Sequence, residues 1–312
     1  MDKIAKIVVL GSANGDLYVE LSRLPVEGET IPAIAGGELR PGGKGANTAA
    51  AASLMKACTW FLGQMGKDAA GQMLATELSQ RGVNLDYVNM LDSTPTGQAV
   101  VMLLPGGHNS IIIIGGANQA WTTLPASMYP AIDNADALML QREVPDSINL
   151  QAALYAKSKG KLVILDAGGK LGPVSDELLS AIDVLSPNSV EIEEISGVKG
   201  NVDEAARTLI EKGVKHVIVK LSAEGSLYVG SEGRYKQSAF KIPEMQIVDT
   251  TGAGDCFTAA FVTRLVELGQ LSLLNFQQAM AFASVAAFLS ITKKGAMESI
   301  PSRDAVDAQL NL

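Results

Sequence analysis

Two cysteines, Cys58 and Cys256, and two histidines, His108 and His216, are all that 312 residues contain of either type. Two thiols cannot build a disulfide framework, and each lies in an apolar segment. Both are therefore expected as small core residues in a reducing compartment. The histidines match no metal-ligand spacing and are expected to be structural or exposed. Positive charge is also short: 25 Lys and Arg against 33 Asp and Glu leave a net charge of −8. No Lys/Arg-rich run occurs, so the clustered charge that a nucleic-acid surface needs is missing. An anionic substrate then requires basic residues placed locally.

Nor is there a basic segment followed by a long apolar one at Met1 to Lys6, so no signal peptide is expected. The most apolar stretch, Ala279 to Ile291, is interrupted by Ser284 and Ser290 and reads as too short for a membrane span. The expectation is a cytoplasmic protein with neither membrane nor nucleic-acid partners. Three motifs are absent as well. Without Gly-x-x-x-x-Gly-Lys-Ser/Thr a P-loop nucleotidase is disfavoured. Without Gly-x-Gly-x-x-Gly after the first strand, a nicotinamide-binding domain is disfavoured. Without Gly-x-Ser-x-Gly, an α/β-hydrolase is.

What is present can bury a large core: 47% of residues are hydrophobic and 19% charged. Ile7 to Leu10 reads as a buried strand, followed by the turn-prone Ala13-Asn14-Gly15-Asp16. Residues 17–40 alternate and carry Pro25, Gly28, Pro32 and Gly36-Gly37, which suggests short strands. Residues 97–115 hold two apolar runs around Pro105-Gly106-Gly107-His108-Asn109, a hairpin pattern. These two patches are expected to form one small β lid whose apolar face could pair two copies. From Ala137 onward strands and helices alternate, ending in two long helices, Asp255 to Leu268 and Leu273 to Ile291. Such alternation predicts an α/β fold: a mainly parallel central sheet covered by helices on both faces.

Polar groups gather at the predicted strand ends, where open α/β sheets bind ligands. Asn14 and Asp16 follow the first strand. Gly42-Gly43-Lys44-Gly45-Ala46-Asn47 precedes an Ala-rich helix expected from Thr48 to Met55. Glu143, Asn188 and Glu191 follow later strands. Val248-Asp249-Thr250-Thr251-Gly252-Ala253-Gly254-Asp255 opens a helix, where small residues can aim N–H groups at an anion and the helix dipole adds positive potential. An Asp there could accept a proton from an attacking hydroxyl; capping a helix is its simpler use.

Gly42-Gly43-Lys44-Gly45-Ala46-Asn47 and Asp249-Thr250-Thr251-Gly252-Ala253-Gly254-Asp255 together resemble the two signatures of the ribokinase/PfkB carbohydrate kinases, and the resemblance runs from about Ile7 to about Pro301. It implies a single kinase domain over residues 1–312, with the lid from about 17–40 and 97–115. It further implies ATP-dependent phosphorylation of the 5-hydroxyl of D-ribose, with Lys44 pointing to the ribose-specific members. Asn14, Asp16, Gly43, Lys44, Asn47 and Glu143 would hold the sugar. Asp255 would be the general base, with Gly252, Ala253 and Gly254 as anion hole. Asn188, Lys220, Ser222, Gly225, Gly254 and Ser284 fall where the family contacts ATP. Lys220-Leu221-Ser222 replaces a common Thr-x-Gly, and Ser284 stands where His or Asn is frequent. Asn188-Ser189-Val190-Glu191 is similar to the family's Asn-x-x-Glu, giving Glu191 an indirect hold on Mg²⁺. Asp249, Thr251, Ser290, Lys293, Gly295 and Ser299 match a K⁺ site that braces the anion hole. A homodimer through the lids is expected. The alternatives are another sugar or nucleoside kinase of this fold, such as a fructokinase or adenosine kinase, and a non-catalytic sugar-binding regulator.

Overall fold

The computed structural model describes residues 3–105, 108–242 and 245–310. The chain begins β1 (Lys6–Leu10), β2 (Asn14–Glu20), β3 (Ala35–Gly42), α1 (Lys44–Leu54), β4 (Cys58–Leu62), β5 (Gln64–Gly66) and α2 (Ala69–Gln80). Then come β6 (Asn89–Leu91), β7 (Gly97–Leu103), β8 (Asn109–Ile114), α3 (Tyr129–Asn134), β9 (Ala137–Gln141) and α4 (Asp146–Ser158). β10 (Leu162–Asp166), α5 (Asp176–Ala181), β11 (Val184–Ser186), α6 (Ser189–Ser196), α7 (Val202–Glu211) and β12 (His216–Lys220) follow. The chain closes with β13 (Ser226–Gly230), β14 (Gly233–Gln237), α8 (Ala253–Leu268), α9 (Leu273–Ser290) and α10 (Arg303–Leu310).

Eight strands form the main sheet in the order β14-β13-β12-β11-β10-β9-β1-β4. The six from β4 to β12 pair in parallel, and β13 and β14 add an antiparallel edge. Side chains along a strand alternate between faces, and here both faces are apolar. Ile7 and Val9 of β1 enter one core with α1, α8 and α9, while Val8 and Leu10 enter the other with α4 and α5. That explains why the strands read as continuous Val/Ile/Leu runs. The functional consequence is a row of parallel strand ends, with their polar loops, along one edge.

The two lid patches join as expected, in a four-stranded sheet ordered β3-β2-β7-β8. The hairpin of β7 and β8 is antiparallel; its Gly106 and Gly107 lie outside the described residues. Ile111, Ile112, Ile113 and Ile114 on the edge strand are each 46–56% exposed.

Several local expectations are corrected. Asn14 to Asp16 form no free turn but open β2, because Asn14 and Asp16 pair with Gly42 and Arg40 of β3. α1 begins at Lys44, four residues before the expected Thr48, so the Gly-rich loop runs directly into the helix. α8 begins at Ala253 rather than Asp255. Cys256 is buried as expected, but Cys58 is exposed, since it starts β4 at the outer edge of the sheet. His216 is buried beside Tyr228, its Nδ1 3.0 Å from the phenol oxygen, and His108 is exposed. α9 is long and apolar enough to cross a membrane by length and composition alone, where the sequence reading made its segment too short. Its Phe276, Met280, Phe282, Ala283 and Ala286 pack in the core beside α8.

Candidate active site

The Gly-rich loop is shaped by close backbone approach. Gly43 has φ 89°, and a Cβ there would lie 2.8 Å from the Asn14 N atom. Any side chain would push the loop off β2, so glycine is required. The following turn of α1 sends Lys44 and Asn47 towards the start of α8. Asn47 Nδ2 donates to Asp255 Oδ2 at 3.0 Å, and Lys44 Nζ lies 3.4 Å from Asp255 Oδ1. Asp255 is only 4% exposed. Burial foremost raises its pKa, and Lys44 and Asn47 oppose that rise. Asp255 in turn is the main cause that holds the Lys44 ammonium well above its ordinary pKa. The Lys44 ammonium and the Asn47 amide thus both face a buried carboxyl group.

Beside the Gly-rich loop, Glu143 accepts from Ser12 Oγ and, at 3.0 Å, from the Lys44 N–H. Asn14 Oδ1 accepts from Asn118 Nδ2 at 2.7 Å, and Asn118 also binds both polar groups of the Ala13 backbone. Asp16 Oδ1 is buried with no partner among the described residues. Burial, helped by Glu143, pushes the Asp16 pKa up to about 7. An unpartnered buried carboxylate oxygen is costly unless a ligand satisfies it. A polyhydroxylated molecule offers such donors.

At the start of α8, Gly252 takes φ 75°, and a Cβ there would meet Ala296 at 3.0 Å. In this left-handed conformation Gly252 is the N-cap of α8. Ala253 N–H is weakly engaged by Thr250 O at 3.3 Å, whereas those of Gly252, Gly254 and Asp255 have no partner among the described residues. Unpaired N–H groups at a helix start form an anion site. Beside them lies a mostly apolar cleft of about 510 Å³, lined by Lys220, Ser222, Gly225, Gly254 and Ser284 among others. Ser284 Oγ accepts from Phe240 N–H at 2.9 Å. Gly225 is demanded by packing, since a Cβ would meet Gln237 O at 2.0 Å.

Asn188 does not line this cleft. It caps α6, accepting from the Val190 and Glu191 N–H groups, while Glu191 Oε2 accepts from the Asn188 N–H at 2.8 Å. Asp249 joins two segments: Oδ1 accepts from Thr251 N–H and Oγ, and Oδ2 from Gly295 N–H at 2.9 Å. Ser290 and Ser299 hydroxyls donate within their own turns, to Ala287 O and Ala296 O. Lys293 is exposed. Among the described residues no cluster of three or more His, Cys, Asp or Glu side chains could hold a metal. A divalent ion here would rest on nucleotide phosphates, water and at most one or two carboxylates, the coordination Mg²⁺ favours.

Sequence reasoning passed over Ser12, Asn118, Asp166 and Thr258. Asp166 ends β10 and so shares the strand-end position that singled out the others. Asn118 carries no local signal, since only the lid's return to the main body brings it to Asn14.

A buried carboxyl group beside unpaired N–H groups, a polar pocket on one side and a cleft on the other, all at the strand ends of a doubly covered sheet, mark a small-molecule kinase. The profile of the pfkB family carbohydrate kinases matches residues 4–303. The chain belongs to that family. It is 46% identical over 309 residues to a ribokinase of Arabidopsis thaliana, covering 96% of this chain and 79% of the relative. It is 34% identical to a ribokinase of Haemophilus influenzae, with 95% of each covered. The structure of Arabidopsis thaliana ribokinase complexed with ribose and ATP superposes with a TM-score of 0.92 at 42% identity, covering 99% of this chain and 100% of that one.

Proposed function

We propose that the protein transfers the γ-phosphoryl group of ATP to the 5-hydroxyl of D-ribose. The single observation that carries this reading is Asp255. It is buried, held by Lys44 and Asn47, and placed in the first turn of α8 beside unpaired N–H groups. The likeness to ribokinases over nearly the whole chain favours ribose among sugars.

Ribose lies against Asn14, Asp16, Gly43, Lys44, Asn47 and Glu143, and the nucleotide enters the cleft of Lys220, Ser222, Gly225 and Ser284. Asp255 accepts the proton of the 5-hydroxyl as its oxygen bonds to the γ-phosphorus. The bond from that phosphorus to the bridging oxygen breaks, and ADP takes the electron pair. The N–H groups at 252–254 steady charge on the phosphoryl oxygens, which is most of what this chemistry requires. Mg²⁺, when bound with ATP, neutralises phosphate charge, and Glu191 would act on it indirectly. Activation by K⁺ near Asp249 belongs to the same proposal; it rests on Asp249 tying the anion-hole turn to the 291–299 loop. Lid pairing rests on the exposed Ile111 to Ile114 edge. A cytoplasmic setting rests on the two free thiols.

The test is a coupled assay of ADP release with ribose, fructose and adenosine, run on wild type and Asp255→Asn. Ribose is expected to be preferred. The variant is expected to bind ribose while kcat falls about 10²–10⁴-fold. No preference for ribose removes the substrate assignment, and undiminished turnover removes the base.

A further inference from the structure

Asp166 takes no part in the scheme above, yet it is the buried anion between the two lysines of the site. It is 3% exposed and lies at the end of β10. Its Oδ2 accepts from Lys220 Nζ at 2.5 Å and from Thr258 Oγ1 at 2.7 Å, and its Oδ1 from Gly168 N–H at 3.0 Å. Burial alone would raise its pKa, but Lys220 and then Lys44 hold it below the usual carboxylate range. Thr258 lies one turn along α8 from the anion hole, and its Oγ1 also bonds Gly254 O at 3.0 Å. Lys220 reaches the same turn, since a Cβ on Gly254 would sit 3.7 Å from its Nζ. Charges thus alternate from the base to the nucleotide cleft: Asp255, Lys44, Asp166, Lys220.

A buried ion pair contributes little net stability compared with apolar residues of the same shape. Keeping this one therefore calls for a use of the charge. Lys220 lines the nucleotide cleft and touches the helix turn that would receive the phosphoryl group.

We propose that Asp166 is a positioning residue: together with Thr258 it fixes the Lys220 ammonium beside the first turn of α8, where Lys220 neutralises the charge that develops on the leaving diphosphate. The inference rests on the kinase reading. When the bridging oxygen–phosphorus bond breaks, the electron pair stays on the β-phosphate oxygen, and Lys220 donates a hydrogen bond to it. Held in advance by Asp166, the lysine needs no reorientation during the step.

The test compares Lys220→Met, Asp166→Asn and the double variant with wild type. Thermal midpoint, kcat, and calorimetric affinity for ribose and for ADP are read on each. Each single variant strands a buried charge and is expected to lower the midpoint. The double variant is expected to regain it, while kcat stays down by about 10²-fold or more. ADP affinity should stay about tenfold weak, with ribose affinity unchanged. A double variant with wild-type midpoint, kcat and ADP affinity would show the pair to be structural only and overturn the inference. Should the double variant not fold, Lys220→Arg decides. With the charge kept it should hold ADP better than Lys220→Met, and equal loss in both overturns the role. ADP binding needs no turnover, so a wild type that phosphorylates no sugar removes the proposed function while ADP affinity still decides the lysine.

Discussion

Asn47 Nδ2 lies 3.0 Å from Asp255 Oδ2 across 208 residues of sequence. This hydrogen bond links the two Gly-rich loops directly. It also favours the ionised form of Asp255, against the burial that raises its pKa. Replacing Asn47 by Leu removes the bond and leaves the carboxylate more basic. The acidic limb of the kcat/KM–pH profile should then move to higher pH, and kcat should fall about tenfold or more. A profile identical to wild type would show that Asn47 does not tune the base.

Asp16 carries a pH dependence whose sign differs between binding and folding. Its pKa is pushed up to about 7 in the folded chain, chiefly by burial, against 3.8 for a free aspartate. The folded state therefore prefers the protonated form. The associated stability is full below pH 3.8 and is lost as pH rises through about 7. Asp16→Asn should raise the melting temperature of the sugar-free protein by a few degrees at pH 8, with no gain at pH 4. It should also weaken ribose binding strongly. In wild type, ribose affinity should fall as pH drops below about 7, if the ionised carboxylate accepts the sugar hydroxyls. An unchanged melting temperature at pH 8 contradicts the assigned shift.

For the cation, Asp249 is the residue to change. It joins Thr251 to Gly295 through both carboxylate oxygens. Replacing K⁺ by Na⁺ should lower wild-type activity several-fold, and Asp249→Asn should flatten that response along with lowering kcat. Equal rates in both salts would remove the K⁺ site from the scheme.

Four consecutive isoleucines on the outer lid strand, Ile111 to Ile114, expose about half of each side chain. Exposure on both faces of an edge strand invites pairing with a second copy. Ile112→Lys should turn a dimer into a monomer in sedimentation or light scattering. A wild type that is monomeric at micromolar concentration refutes lid pairing.

Much of this molecule is written locally. Apolar runs of four or five residues alternating with helices specified a parallel sheet covered on both faces, because such strands have no polar face to give to water. Gly42, Gly43 and Gly45, and Gly252 and Gly254, announced two tight turns at helix starts. The lid, too, followed from alternation and turn residues. Other features depend on contacts no local pattern encodes. Asn14 and Asp16 read as a turn, because their ladder partners in β3 lie more than twenty residues away. Cys58 read as core, because nothing nearby says that β4 is an edge strand. Sequence marked Asp255 and Asn47 as residues of interest; only the packing of α1 against α8 put them in contact. Likewise only the assembled sheet and α8 bring Asp166, at the end of β10, to Lys220 and Thr258. Burial and charge proximity are properties of the assembled fold, so only the tertiary structure decided that Asp255 lies buried against Asn47 and Lys44, and Asp166 against Lys220.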